Sequence, residues 1–422
     1  MPPCISPKST PYDPVKSEAA KELLAVINKD LGPLSKFTSW GPDAFHMPFL
    51  ELFVGFWGVH REAIIVEGAH PRALKGIVRV HTENLYLCSF LGKEGSEMMH
   101  YSHWYNLCHF FFLLLYITEL VAAAVSAISN CDFCANAHGL CAQAAGMQAA
   151  MKVIQQREPS LIADEHARKV TEWALNIYHP NKSIIRSPPM NTEEAAELIG
   201  SVFATIYINA VTHNFVSDRA IPPKAPEFVR KAYEKNGTFK ACVDKLAVRL
   251  LKKEPARAGK MDKVYGGLPK RFDEESIRLP NDMIWVEGND YIQRNMKFWY
   301  WAIENCTSIV QTSLRSLVEE YVLQRYKGES LDNSSPREWA NEIIDQSPHG
   351  KFVTENQDRV WAELMLVVAV DPTKLNGCNV LQDFRRKYPG EIGEQKLKCG
   401  VMLAAFLRAR RICSFLGRFL QE

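Results

Sequence analysis

Residues 108–128 read CHFFFLLLYITELVAAAVSAI, an apolar run carrying a single carboxylate, Glu119. The run is too long and too continuous for one strand, and its Leu, Ala and Ile content suits a buried helix. A chain with such a segment must wrap other elements around it. A carboxylate in so apolar a run is costly to bury without a purpose. Ser129 and Asn130 interrupt the run, and both residue types are favoured at helix N-caps. A second helix is therefore expected to start there, with Cys131 in its first turn, and to run through Ala135, Ala137, Leu140 and Ala144 to about Gly146.

On that second helix, Cys131, Cys134 and His138 are offset by three and four residues and so share one stripe. The positive end of a helix dipole favours thiolate over thiol and can lower a cysteine pKa from ~8.5 to ~3.5–7.5. The thiolate is the species that attacks a peroxide or a disulfide. His138 lies one turn after Cys134, in reach of its proton, and Glu119 is placed to orient the imidazole or take the proton in turn. Attack on a hydroperoxide would give a sulfenic acid, and a second cysteine three residues away would condense with it to a disulfide that an external dithiol must reduce. A Cys-x-x-Cys pair followed by His is also zinc chemistry. A closed zinc site needs a fourth ligand and usually a second close pair, which this chain lacks, so no metal is expected.

The stretch ELVAAAVSAISNCDFCANAHGLCAQAAGM, residues 119–147, resembles the core motif of the alkylhydroperoxidase AhpD and carboxymuconolactone decarboxylase superfamily. By that resemblance Cys134 forms the sulfenic acid, Cys131 is its disulfide partner and proton donor, and His138 and Glu119 form the proton relay. One departure is visible: Phe133 stands where the alkylhydroperoxidases often have a further histidine. A second block begins at Asn191-Thr192-Glu193-Glu194, an N-cap with an acidic residue at the third helical position. It leads into AAELIGSVFATIYINAVTHNFV, which resembles the family's later helix, packed beside the cysteine helix. Asn209 and His213, one turn apart on it, are candidates to line the same pocket, with Phe133.

The resemblance covers about residues 98–218, less than half of 422. It implies an all-α, AhpD-like helical bundle, assembling as a homo-oligomer, with a further helical half added. Three regions are expected: residues 1–220 as the AhpD-like domain with an N-terminal helical extension, 221–280 as a linker with an embedded helix, and 281–422 as a second helical domain. Helical patterns occupy residues 14–30, 50–65 and 73–91, and strand signals are weak. The linker is read from its Pro, Gly and charge content, and helical periodicity persists over 225–253. In the second domain Glu363 in AELMLVVAV matches Glu119 in TELVAAAV, and Cys378 follows within fifteen residues. Leu381 stands where a second cysteine would be, so that half reads as a degenerate or unrelated partner without a catalytic site.

Several classes are disfavoured. The N-terminus lacks a signal-peptide pattern. Eleven scattered cysteines fit a reducing compartment, and the expected setting is the cytoplasm. Glu119 near the middle of the apolar run argues against a transmembrane span. A net charge of +2 makes no general case for nucleic acid, and no phosphate loop, dinucleotide fingerprint or Gly-x-Ser-x-Gly elbow occurs, so no cofactor is expected. The favoured expectation is a thiol-dependent peroxidase or disulfide reductase whose partners are a hydroperoxide or disulfide substrate and an external dithiol, thioredoxin-like or lipoyl, as reductant. The alternatives are a redox-responsive regulatory or interaction protein of sestrin-like two-half architecture, although sestrins lack the paired cysteines, and a lyase of the carboxymuconolactone decarboxylase branch, whose members generally do not rely on this dithiol.

Overall fold

A computed structural model describes residues 17–31, 47, 49–66, 117–215, 231–233, 235–251, 256–268, 272–326, 335–355 and 358–420. The fold is all-α. Among the described residues there is no β-strand, and the isolated β-pairing is one parallel bridge between Val66 and Ala256. The helix expected over 73–91, the first part of the apolar run and residues 216–230 lie outside the described residues.

The helix bearing Glu119 spans Ile117–Ile128, and Leu120 to Val125 are wholly buried. It ends in a left-handed turn. Asn130 has φ 54°, its N–H donates to Ala127 O at 3.2 Å, and the Cys131 N–H donates to Ser126 O at 2.9 Å. These two bonds are the paired closure of a Schellman ending, which needs a residue tolerant of positive φ; Asn is the usual substitute for Gly there. This corrects the expected capping. Ser129 and Asn130 close the first helix instead of opening the second, and Cys131 itself is the N-cap of the cysteine helix, Asp132–Ala144, without a side-chain cap bond. Asn, a favoured cap residue, is equally suited to a left-handed closure, and here the closure won.

The long helix Thr192–Phe215 starts as its sequence dictates. The Glu194 N–H donates to Asn191 Oδ1 at 2.9 Å and the Asn191 N–H donates to a Glu194 carboxylate oxygen at 2.9 Å, a reciprocal capping box worth about 1 kcal/mol. It is long and apolar enough to cross a membrane, but its apolar window is entirely buried inside the protein. It packs along the C-terminal helix, Gly390–Arg418. The Cys413 thiol donates to Ile199 O at 3.6 Å across that seam, and Tyr207 Oη to Met402 Sδ at 3.2 Å. Phe203, Tyr207, Trp299 and Phe406 meet edge to face, with centroids 4.7–5.6 Å apart. One hydrophobic core therefore runs from Ala19 on the first described helix to Leu416 near the end. Gly55 is required by this packing, because a Cβ there would lie 2.8 Å from the Trp299 backbone and ring. A helix embedded in the middle region spans Gly237–Leu250, within the segment read as helical from sequence.

A buried ionic cluster ties the first helix, Glu18–Leu31, to this core. Arg61 Nε donates to Asp30 at 2.7 Å and Nη1 to Glu62 at 2.5 Å. Burial pushes the Glu62 carboxyl up to about 6 against the pull of Arg61.

Candidate active site

The Ile117–Ile128 helix, the Ser129–Asn130 turn and the cysteine helix together place the dithiol. The Cys131 and Cys134 sulfurs are 2.7 Å apart and are not joined by a disulfide, so a small movement brings them to the ~2.05 Å of one. Cys134 occupies the third position of its helix, where unpaired backbone amides concentrate positive partial charge. Cys131 is wholly enclosed, while Cys134 retains 4% exposure.

One turn further on, His138 Nδ1 lies 2.7 Å from Glu119 Oε2, and both side chains are buried. The structure thus places the four residues singled out for chemistry in two pairs, one turn apart along the cysteine helix. A third thiol, Cys141, lies one turn past His138 on the same helix and feels the Glu119 carboxylate. Burial, and then the Glu119 charge, push the Cys141 thiol well up, away from the thiolate.

Two further side chains escaped the sequence reading. His60, at the end of the helix Leu50–His60, stacks on Trp57 at 5.1 Å and lies 5.5 Å from the His138 ring. Burial, and then His138, hold it well below the ordinary histidine range, so it remains neutral beside His138, and its Nδ1 has no hydrogen-bond partner among the described residues. Thr212, on Thr192–Phe215, lies 3.6 Å from Cys134 Sγ through its hydroxyl and is fully buried. Nothing in the local sequence marks either residue. His60 is more than fifty positions before the motif, and Thr212 is one of several polar residues near the end of an apolar helix.

The remaining candidates lie around the turn. His213 Nε2 donates to Ser129 O at 2.8 Å, and Asn209 hydrogen-bonds Ser126 at 3.2 Å, so both brace the segment that ends at Cys131. Asn209 lines a separate cavity. Phe133 is buried within the core beside the two cysteines. Among the described residues no group of three or more His, Cys, Asp or Glu side chains is disposed to hold a metal ion.

This arrangement provides two sulfurs in bonding reach, a hydroxyl beside one of them and a buried imidazole on the same helix paired with a carboxylate from the preceding one. It suits a two-electron thiol–disulfide cycle with proton transfer. No protein-family profile, no curated protein and no solved structure matches the chain.

Proposed function

We propose that this chain is a thiol-dependent oxidoreductase of the peroxidase type, reducing a hydroperoxide, or a disulfide, through Cys134 and Cys131. The observation that carries this reading is the pair of sulfurs 2.7 Å apart with His138 one turn further along the same helix, paired with the buried Glu119 of the preceding helix.

Cys134 is assigned the attack because it is the less enclosed of the two and sits in the first helical turn. Its thiolate sulfur takes the terminal oxygen of the hydroperoxide: an S–O bond forms, the O–O bond breaks, and the alkoxide leaves as an alcohol after taking a proton. His138, oriented by Glu119, takes the thiol proton and returns it to the leaving oxygen. The Cys131 thiol then displaces hydroxide from the sulfenic acid, giving the disulfide and water. The two electrons come from the two thiols, and an external dithiol, thioredoxin-like or lipoyl, restores them. A cytoplasmic setting goes with such a reductant.

The near-complete enclosure of both sulfurs favours a second reading, in which the same oxidation is a signal rather than a turnover and the helical additions present it to a partner.

The test is consumption of tert-butyl hydroperoxide by the purified chain with a dithiol reductant. Cys134→Ser is expected to abolish it. Cys131→Ser is expected to leave a sulfenic acid on Cys134 that a dimedone probe captures. Undiminished turnover in Cys134→Ser overturns the assignment, and a stoichiometric oxidation without turnover selects the sensing role.

A further inference from the structure

A cavity of about 860 Å³ lies between the cysteine half and the C-terminal helices, a volume within the range of small-molecule sites. Neither Cys131 nor Cys134 lines it. Its floor holds Arg408, Tyr326 and Asn209, all buried, and its rim carries Arg157, Arg168 and Lys374. Two carboxylates, Glu172 and Asp371, also line it, so cations predominate.

The floor holds a buried guanidinium. Arg408 Nη1 donates to Tyr326 Oη and Ala369 O, each at 3.3 Å, and to Val370 O, and Tyr178 supplies a further hydrogen bond. All of these partners are formally neutral. Among the described residues Arg408 makes no ion pair within 4 Å, and the Asp371 charge on the cavity wall favours its charged form. A buried guanidinium without a paired carboxylate is costly, and a guanidinium has five N–H donors in a fork that matches carboxylate and phosphate. Asn209 hydrogen-bonds Ser126 through one end of its amide and leaves the other without a protein partner among the described residues. On the rim, Arg157 donates to the Ala127 carbonyl and Asn130 side chain, which keeps its charge unneutralised by those contacts.

We propose that this cavity binds a small-molecule anion, bearing phosphate or carboxylate, whose charged group is held by Arg408 with the Asn209 amide as a further polar contact. Arg157, Arg168 and Lys374 draw it in, and the Tyr178 and Tyr326 rings, with Leu175 and Ile206, face its uncharged body. This site is independent of the dithiol reading.

Isothermal titration calorimetry of the full chain at fixed ionic strength, with inorganic phosphate, ATP and citrate as probes, tests it. Saturable binding of at least one probe at sub-millimolar concentration is expected. Preference for ATP or phosphate assigns a phosphate-bearing ligand, and preference for citrate a carboxylate-bearing one. Arg408→Met is expected to abolish binding. Because that residue is buried, the double variant Arg168→Glu/Lys374→Glu on the accessible rim is the companion, with an expected weakening of at least about tenfold. No saturable binding of any of the three probes, or affinity unchanged in the rim variant, overturns the proposal.

Discussion

Glu119 and Glu363 each lie on an apolar helix, Ile117–Ile128 and Arg359–Val370, and each is buried, yet they face different partners. Glu119 meets His138 at 2.7 Å, whereas Glu363 meets Arg337 Nε at 3.2 Å, and Arg337 in turn meets Asp383 at 2.6 Å. A histidine gains and loses its proton near neutral pH; a guanidinium does not. The first carboxylate belongs to a unit able to move a proton and the second to a fixed ion-pair network. The thiols differ in parallel. Cys134 has Cys131 at 2.7 Å, while Cys378 donates to the Leu375 carbonyl at 3.4 Å and burial pushes its thiol up. Similar apolar helices thus carry a carboxylate paired with a titratable imidazole in one half and with a permanently charged guanidinium in the other.

The largest contrast is expected from the sulfurs. Cys134→Ser should abolish peroxide consumption, while Cys378→Ser should keep it within about twofold, both read in a coupled reductant assay. Comparable losses would erase the difference between the halves. Next come the partners of the carboxylates. His138→Asn should lower the turnover rate by ~10²–10⁴-fold, whereas Arg337→Gln should leave turnover intact and cost about 1 kcal/mol in urea unfolding, since Arg337 is partly exposed and exposed pairs contribute little.

The turn before Cys131 gives a finer cut. Asn130→Ala should cost roughly 1–2 kcal/mol because alanine resists positive φ, and Asn130→Gly should cost little; equal losses would mean that the left-handed closure is not what holds Cys131. The smallest effect is a pH dependence. Burial depresses the folded-state pKa of His60, so below about pH 6.5 the unfolded chain binds a proton that the folded one refuses. The stability associated with His60 is complete above that pH and is lost as pH falls toward the depressed folded value. His60→Phe should therefore flatten the decline in melting temperature between pH 7 and pH 5, with no matching change for a variant at Glu363.

The helices were legible in the sequence because their apolar residues recur at helical spacing, and the capping box at Asn191 fixed the start of Thr192–Phe215 to the residue. Cys131, Cys134 and His138 were legible because a helix places neighbours in sequence on one face. Glu119 was legible because an apolar run makes a lone carboxylate conspicuous. His60, Thr212 and Cys141 were not: the first two reach the site from separate helices, and Cys141 feels the Glu119 charge only through burial beside it. The direction of the Ser129–Asn130 turn was misread because local propensity cannot tell a cap that ends one helix from a cap that begins the next. The Arg408 cavity was equally hidden, since it joins segments about two hundred residues apart.

The proposed chemistry requires a dithiol poised by its surroundings and other thiols that are not. Quenching the protein in denaturant with an alkylating agent, before and after one equivalent of hydroperoxide, and locating the modified cysteines by mass spectrometry tests it directly. Cys131 and Cys134 should together lose alkylation and appear as a linked peptide, while Cys378, Cys399 and Cys413 stay fully alkylated. Full alkylation of Cys131 and Cys134 after peroxide, or oxidation spread evenly over all the cysteines, would contradict it.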